Sequence, residues 1–251
     1  MSARTAAAGR ARNDPAQYDD LAGTWWDRRG PFAMLHWLAA SRATLVPPAT
    51  RPGAVLLDVA CGGGLLAPYV AGLGYRHVGL DLSAPSLAVA RDHGVRPVRT
   101  DARLLPVADG AADVVVAGEC LEHVPDLPLV VSELCRVLRP GGTLVADTIA
   151  DTRIARFITV TLAERLPGGP PPGLHDPRLF VNRRQLVDEC ARHGVVLKLT
   201  GLRPSVPATV AWLTGRRPES RMVRTRLTLV LFQAVGVKQA PATPSEGEDP
   251  A

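Results

Sequence analysis

The chain has 251 residues, of which 46% are hydrophobic and 21% charged, and its formal net charge at pH 7 is +5. This composition predicts a globular protein with a sizeable core. The four cysteines lie far apart without a Cys-x-x-Cys pair, which argues against a zinc knuckle or disulfide framework and favours reduced thiols in a cytoplasmic protein. No apolar run reaches the roughly 18 residues of a membrane-spanning helix. Basic and aromatic residues are not interleaved, so nucleic acid is not expected as a partner.

Both ends of the chain are biased in composition. Residues 1–13 are rich in Ala and Arg but lack a continuous apolar stretch, so they do not form a secretory signal, and we expect a disordered leader. Residues 239–251 are rich in Pro, Ser and Glu, which predicts a disordered tail. The sequence therefore predicts one domain over residues 14–238.

Residues 15–45 are predicted to be helical, with a break near Gly30 and Pro31, and to form an N-terminal helical cap. Short apolar strands then alternate with helices. The predicted strands are 55–59, 78–81, 95–100, 112–117 and 143–148, and the predicted helices are 65–73, 86–93 and 129–138. This alternation predicts an α/β fold with a Rossmann-like, doubly wound, mostly parallel sheet.

A predicted insertion follows the fifth strand, over residues 152–182. It combines an apolar helical segment carrying arginines (154–166) with a Pro- and Gly-rich run (167–173), which is typical of a lid. Beyond it we expect a helix at 185–193, a strand at 195–200, a helix at 208–214 and a late edge strand within 225–235. Five arginines between 216 and 226 suit anionic headgroups or a phosphate-bearing substrate, with a solvated charged face as the alternative.

The first strand ends in Asp58 and is followed by three glycines, Gly62, Gly63 and Gly64, and the second strand ends in Asp81. A strand, glycine turn, helix and acid-ended strand form a nucleotide-binding unit. The spaced third glycine of the dinucleotide fingerprint is missing, so the pattern favours S-adenosylmethionine (SAM) over NAD. Asp58 would face the amino group of SAM and Asp81 its ribose; a tight turn without a ligand is the alternative.

Residues after the second and third strands extend this candidate cofactor site. Asp101 is placed to accept the adenine amino group, with the backbone of Ala102 as a donor, unless it is an ordinary turn aspartate. Leu82, directly after Asp81, belongs to the same surface.

Glu119, Glu122 and His123 follow the fourth strand and can share one face of a helical turn. Two carboxylates and an imidazole suit Mg²⁺ or Zn²⁺, which could chelate two vicinal substrate oxygens. Alternatively, His123 is a general base without a metal, or the acids only favour the helix dipole. Glu122 and His123 are the candidate catalytic residues.

Two further clusters have competing interpretations. Trp25, Trp26 and Asp27 could form a lid over substrate or cofactor, although aromatic residues at helical spacing more often belong to a core. His175 and Asp176 form a polar pair near the insertion, with a solvated loop as the alternative.

These motifs together resemble one family, the UbiG-type ubiquinone-biosynthesis O-methyltransferases. The resemblance covers about residues 18–237. Its general features are the glycine motifs, and its more specific ones are Trp25-Trp26-Asp27, the segment Glu119 to Asp126, and His175-Asp176.

The resemblance implies a class I SAM-dependent O-methyltransferase that acts on catechol-type polyprenyl phenols and releases an aryl methyl ether and S-adenosylhomocysteine. It implies that Arg42 touches the cofactor carboxylate, that Gly118 lies beside the cofactor, and that Glu119, Glu122 and His123 bind a divalent metal. It also implies peripheral membrane contact by the insertion after the fifth strand, at the inner membrane face.

The sequence departs from the family at the first glycine of the cofactor loop, where Ala60 stands. A methyl group is tolerated there if Ala60 keeps a negative φ. The insertion also carries prolines where the family has a lysine-bearing sequence. Other acceptors therefore stay open, namely a natural product, a glycan or a lipid-linked hydroxyl, as does a non-catalytic SAM-binding protein. The predicted cofactor-binding residues are Arg42, Asp58, Ala60, Gly62, Gly64, Asp81, Leu82, Asp101, Ala102 and Gly118.

Overall fold

The computed structural model describes residues 10–165 and 170–240. Most of the predicted leader (1–9), part of the proline-rich run (166–169) and most of the predicted tail (241–251) lie outside the described residues. Residues 10–13, which we expected to belong to the leader, do make contacts: Arg10 pairs with Asp20, and Asn13 donates its backbone N–H to the Gly173 carbonyl.

The described helices and strands alternate through most of the chain. The helices are α1 (Ala16–Leu21), α2 (Ala33–Ala43), α3 (Ala67–Val70), α4 (Ala84–Asp92), α5 (Leu127–Val137), α6 (Arg153–Arg156), α7 (Arg183–Arg192) and α8 (Val206–Leu213). The strands are β1 (Val55–Val59), β2 (Arg76–Asp81), β3 (Arg96–Arg99), β4 (Ala112–Gly118), β5 (Leu138–Ile149), β6 (Val195–Pro204), β7 (Met222–Thr225) and β8 (Leu231–Lys238). Helix α6 continues as a π-helical stretch (Phe157–Leu162) and a 3₁₀ turn (Ala163–Arg165).

Within the described residues the strands form one sheet in the order β3-β2-β1-β4-β5-β8-β6-β7. Strands β1 to β5 pair in parallel. Strand β8 runs antiparallel to both β5 and β6, and β7 is antiparallel to β6. The predicted Rossmann-like, mostly parallel, doubly wound sheet is confirmed.

The predicted late edge strand within 225–235 is wrong in position. The segment contains two strands, and the longer one, β8, lies inside the sheet between β5 and β6, whereas β7 forms the edge. Leu227 and Leu229 in the connection between them are exposed, so the apolar run is not one continuous buried strand.

The core lies on both faces of the sheet. In β4, Val114, Val115 and Val116 are all at most 1% exposed, as expected for a central parallel strand covered on both sides. One face packs against α5 and α7, and the other packs beneath α2 and α3. This arrangement brings the carboxyl ends of β1, β2 and β4 to one edge of the sheet, where the chain after each strand is free to bind a ligand.

Candidate active site

A cavity of about 1250 Å³ opens at this edge of the sheet. Its walls include Asp58 to Gly62 after β1, Asp81 after β2 and Gly118 at the end of β4, and the opposite wall comes from α1, the insertion and the β7–β8 connection. Typical small-molecule pockets have roughly 300–1,000 Å³. The cavity therefore has room for two ligands side by side.

Asp81 holds the glycine loop in place. Its Oδ2 accepts a hydrogen bond from the Gly62 N–H and its Oδ1 accepts one from the Ser83 N–H, both at 2.8 Å. Burial raises the pKa of the Asp81 carboxyl, and the two backbone bonds oppose that shift. Asp81 lines the cavity, and each of its oxygens has a second lone pair, so the carboxylate has the capacity to accept two hydroxyl groups as well.

Asp58 also lines the cavity and is only 3% exposed. Its Oδ2 lies 3.3 Å from Nε2 of His77. A buried carboxylate at this point can receive an ammonium group.

The loop after β1 uses the left-handed region of φ. Gly62 and Gly64 have φ values of +51° and +78°, and Ala60 has a φ of +56°. The condition under which a methyl group is tolerated at this position, a negative φ, is not met: the Ala60 backbone adopts the conformation that a glycine would supply. The Ala60 side chain therefore adds strain to the loop.

Arg42 and Asp147 form a buried ion pair beside Gly118. Nε and Nη2 of Arg42 each lie 2.7 Å from a carboxylate oxygen of Asp147, and Oδ1 of Asp147 also accepts from the Glu119 N–H at 3.1 Å. Although burial alone would lower it, the Asp147 carboxylate raises the pKa of the Arg42 guanidinium. A Cβ on Gly118 would lie 1.8 Å from Cζ of Arg42, so only glycine fits against this guanidinium.

The residues predicted to contact the adenine, Leu82, Asp101 and Ala102, differ in exposure and in hydrogen bonding. Leu82 and Ala102 line the cavity, and Leu82 is 49% exposed. The Asp101 carboxylate is held by Arg103, with N–O distances of 2.6–3.1 Å, and this hydrogen bonding lowers the pKa of Asp101. Asp101 therefore lines the cavity with its carboxylate already paired.

Glu119, Glu122 and His123 are not brought together as one group of ligands. Glu119 has a φ of +48° and lines the cavity. Glu122 is fully buried, and its Oε2 accepts a hydrogen bond from Oγ1 of Thr148 at 2.7 Å. Burial raises the pKa of both glutamates, and for Glu119 the neighbouring Glu122 adds to the shift.

His123 faces the cap and the insertion. Its Nε2 lies 3.2 Å from the Tyr18 hydroxyl and its Nδ1 lies 2.6 Å from Oδ1 of Asn13. The His175 ring stacks on it, with centroids 5.2 Å apart. Burial lowers the pKa of His123 to about 4, so its imidazole is neutral at pH 7.

The predicted metal ligands do not form a three-ligand group among the described residues, although one oxygen each of Glu119 and Glu122 is buried without a hydrogen-bond partner. Across residues 10–165 and 170–240, no group of three or more His, Cys, Asp or Glu side chains could hold a metal ion. Both ring nitrogens of His123 have other partners, and one oxygen of Glu122 is bound to Thr148.

The aromatic cap belongs to both the core and the cavity wall. Trp25 is 5% exposed, stacks on Phe32 with centroids 4.0 Å apart and lines the cavity. A Cβ on Gly62 or Gly63 would lie within 2.5 Å of its side chain. Trp26 donates to the Gly63 carbonyl at 2.9 Å. The interpretation of this cluster as part of the core is thus compatible with its interpretation as a lid.

Sequence reasoning missed three residues of the site. Asp147 lies near the end of β5, two residues before Ile149, at the same sheet edge as Asp58 and Asp81, so its position in the strand pattern could have identified it. Tyr18 and Asn13 carried no such signal, since their contacts with His123 join segments far apart in the sequence.

The parallel strands β1–β5, the antiparallel β8 and the acid-lined cavity beside a glycine loop define a class I SAM-dependent methyltransferase. The family profile described as "Methyltransferase domain" matches residues 57–146. A SAM-dependent methyltransferase of Thermotoga maritima, titled a possible histamine N-methyltransferase, has a TM-score of 0.60 at 14% identity over 88% of this chain and 98% of its own. A putative methyltransferase of Haloferax volcanii also has a TM-score of 0.60, at 18% identity over 89% of this chain and 98% of its own. At these identities the structural matches establish the fold alone.

Curated relatives are more similar in sequence. A ubiquinone biosynthesis O-methyltransferase of Nitrosococcus oceani is 34% identical over 81% of this chain and 90% of its own. The enzyme of the same name from a Methylobacterium strain is 32% identical over 86% of this chain and 94% of its own. The chain therefore belongs to the ubiquinone biosynthesis O-methyltransferase family, as the motifs predicted, and it is a SAM-dependent O-methyltransferase.

Proposed function

We propose that this enzyme transfers the methyl group of SAM to a hydroxyl of a catechol-type phenol that carries a long apolar, polyprenyl-like tail. The observation that supports this most is the two-part cavity, in which the acid-lined edge of the sheet continues into an apolar half. That half is lined by Ile154, Ile158, Leu162, Leu213, Leu227 and Leu229. The name of the curated relatives agrees with a quinone-type precursor as acceptor.

The cofactor half suits the groups that SAM presents. The carboxylates of Asp58 and Asp81 complement an ammonium group and a ribose, and Arg42 complements a carboxylate. SAM supplies a methyl group on a positively charged sulfur. We propose that its binding surface consists of Arg42, Asp58, Ala60, Gly62, Gly64, Asp81, Leu82, Asp101, Ala102 and Gly118.

His123 is the proposed general base. It lines the cavity, and burial keeps its imidazole neutral at pH 7. The acceptor oxygen becomes strongly acidic as it gains the methyl group, so even a weak base can take its proton late in the transfer. Glu122 does not reach the cavity and instead accepts a hydrogen bond from Thr148 on the neighbouring strand. Its proposed part is to hold the turn Leu121–His123 rather than to touch substrate.

The proposed reaction does not use a metal ion. A metal at Glu119, Glu122 and His123 would require a ring nitrogen of His123 to leave Asn13 or Tyr18, whereas Oε1 of Glu122 has no hydrogen-bond partner in the described residues.

Peripheral membrane contact is part of the proposal. Ile154, Phe157 and Leu162 in the insertion are 46–61% exposed, and Arg153 and Arg156 lie beside them. An apolar surface with cations at its border suits an anionic bilayer. No helix of the described residues is long and apolar enough to cross a membrane.

The test is methyl transfer from labelled SAM to a catechol carrying a short prenyl chain, with Mg²⁺ and with EDTA. We expect labelled methyl ether under both conditions, and its loss in His123→Gln with SAM binding retained in calorimetry. Product that requires Mg²⁺ would replace the metal-free mechanism. SAM binding without product would refute the acceptor class and direct the search to natural-product, glycan and lipid-linked hydroxyls.

A further inference from the structure

The β7–β8 connection (226–230) presents an apolar side to the cavity. Leu227 and Leu229 line the cavity, whereas the intervening Thr228 contacts helix α7. Its carbonyl and its Oγ1 accept hydrogen bonds from Nη1 of Arg183 at 2.6 Å and 2.8 Å. The leucines therefore face the ligand space, while the residue between them ties the connection to the rest of the fold.

Further contacts fix the backbone of the connection. The Leu229 carbonyl accepts a hydrogen bond from Oγ1 of Thr152 at 2.6 Å, and the carbonyl that follows accepts one from the Ala150 N–H at 2.7 Å. A Cβ on Gly201 of β6 would collide with the Leu227 carbonyl oxygen, so glycine lets the connection pass directly against this strand. None of these contacts uses a leucine side chain, so they do not explain why both positions are apolar.

The exposure of the leucines that line the cavity rises toward its mouth. Leu202 and Leu231 are 3% and 8% exposed, whereas Leu229 is 40% and Leu227 is 66% exposed. Single exposed leucines are ordinary, but apolar side chains grouped around one opening are typical of a binding groove. The cavity wall thus continues from the core to the surface along the connection.

The insertion borders the same opening. Ile154 lies two residues after Thr152, whose hydroxyl binds the Leu229 carbonyl. Ile154 and Leu162 line the cavity and are 46% and 48% exposed, and Leu213 of α8 lines it at 51% exposure. A closed pocket would cover these side chains and limit the length of a bound chain. An open apolar mouth instead lets a hydrocarbon chain continue past the protein.

We propose that the tail of the acceptor leaves the cavity over the β7–β8 connection, and that Leu227 and Leu229 are specificity-determining residues that bind its first isoprenoid units. The inference rests on the proposed function and adds the path of the tail to it. Units beyond the two leucines lie outside the cavity and contribute no further binding energy. The enzyme therefore requires a tail but does not measure its full length.

The first test is the dependence of kcat/KM on tail length, measured with the full enzyme at saturating SAM. The acceptors are catechols that carry no isoprenoid unit or a tail of increasing length. We expect kcat/KM to rise at least about 10-fold over the first units and then to stay constant. A fall beyond a certain length would show a closed pocket, and a rise with every added unit would show binding beyond the mouth. Either result, or no dependence on the tail, would overturn the proposal.

The second test separates the tail from the catechol. Leu227→Ser and Leu229→Ser should each lower kcat/KM for a prenylated acceptor by about 5- to 20-fold and leave that for unprenylated catechol within about 2-fold. Leu104→Ser is the matched control, because Leu104 is 75% exposed and is not part of the described cavity wall. An equal loss with both acceptors would overturn the assignment of the leucines to the tail.

Arg183→Met tests whether the connection must be held in place. It removes both hydrogen bonds to Thr228 without altering the cavity wall. We expect a loss of about 3- to 10-fold, again confined to the prenylated acceptor. Arg184→Met is the control, since the neighbouring Arg184 side chain is 92% exposed and makes no contact with the connection. Equal activity of Arg183→Met and Arg184→Met toward the prenylated acceptor would overturn the positioning role of Arg183.

Tail binding is also measured without methyl transfer, with geranylgeraniol, a polyprenyl alcohol that has no phenol. Trp37 and Trp212 line the cavity, so tryptophan fluorescence reports its occupancy. We expect Kd to rise about 5-fold or more in Leu227→Ser and to stay unchanged in Leu104→Ser. This pattern without turnover of any catechol would refute the acceptor class while supporting the tail path. Methyl transfer to catechols that is independent of the tail would overturn the tail path, while the proposed O-methylation of a phenol would stand.

Discussion

Gly118→Ala should destabilise the enzyme through Arg42. The added Cβ would lie 1.8 Å from Cζ of Arg42 and 2.1–2.2 Å from its two terminal nitrogens, so the guanidinium must move by more than 1 Å to reach contact distance, about 3.4 Å or more. Both 2.7 Å bonds to Asp147 would then stretch or break. Because the two side chains are at most 8% exposed, solvent cannot replace the lost partner. Breaking a buried pair costs about 3–5 kcal/mol.

The assay is urea unfolding followed by tryptophan fluorescence. Gly72→Ala is the matched control, because a Cβ there meets nothing within 4 Å, and we expect a change of no more than about 0.5 kcal/mol. In an Arg42→Ala background the same Gly118→Ala change should cost less than about 1 kcal/mol, since the atoms it would strike are gone. A small loss in the wild-type background, or an equal loss in both backgrounds, would refute the steric argument.

Three further changes follow from the geometry. Ala60→Gly should raise the free energy of unfolding by about 1 kcal/mol by relieving a left-handed alanine; a lower urea midpoint would contradict the observed φ of +56°. Asp81→Asn should weaken SAM binding at least about 10-fold in calorimetry, because an amide nitrogen would face the Gly62 or Ser83 N–H and one ribose acceptor is lost; Asp92→Asn, at an exposed site, is the control. His123 has a pKa of about 4 when folded against about 6.5 unfolded, so the unfolded chain binds more protons between these values. His123 should therefore contribute a loss of up to about 3 kcal/mol as pH drops from about 6.5 to 4, while the raised pKa values of Glu119 and Glu122 act in the opposite direction. The measurable result is that stability should fall more, or rise less, in the wild type than in His123→Gln over this range.

The parallel half of the sheet could be predicted because its signals are local. Strand β1 has the predicted bounds, Val55–Val59. A run of apolar residues between a glycine-containing turn and the cofactor loop leaves little freedom in where the strand begins and ends. Strands β2 and β4 begin or end within two residues of their predicted bounds for the same reason. The acid at the end of each such strand then identifies the sheet edge where a ligand binds.

The antiparallel part depended on pairings that no local pattern encodes. Strand β8 lies between β5 and β6, and its residues pair with partners about 80–90 positions earlier in β5, such as Ile149 with Leu231. Phe232 and Ala234 are nearly inaccessible, yet their sequence resembles that of an edge strand as much as that of an interior one. Asn13 was assigned to the leader for a similar reason, because composition alone does not reveal a contact with His123.

The separation of the His123 side chain from those of Glu119 and Glu122 has a local cause in the backbone. The prediction placed all three on one helical face, which requires regular α-helical geometry from the first to the last. Glu119 instead has a left-handed φ, and the three residues that follow Cys120 form a single 3₁₀ turn, in which side chains three positions apart eclipse but those four apart do not align as they do in an α-helix. The Glu122 carboxyl lies in the core against Thr148 and next to Glu119, while His123 contacts Tyr18 and Asn13. Residue type and spacing selected this segment, but the backbone of one residue sets how its side chains are oriented.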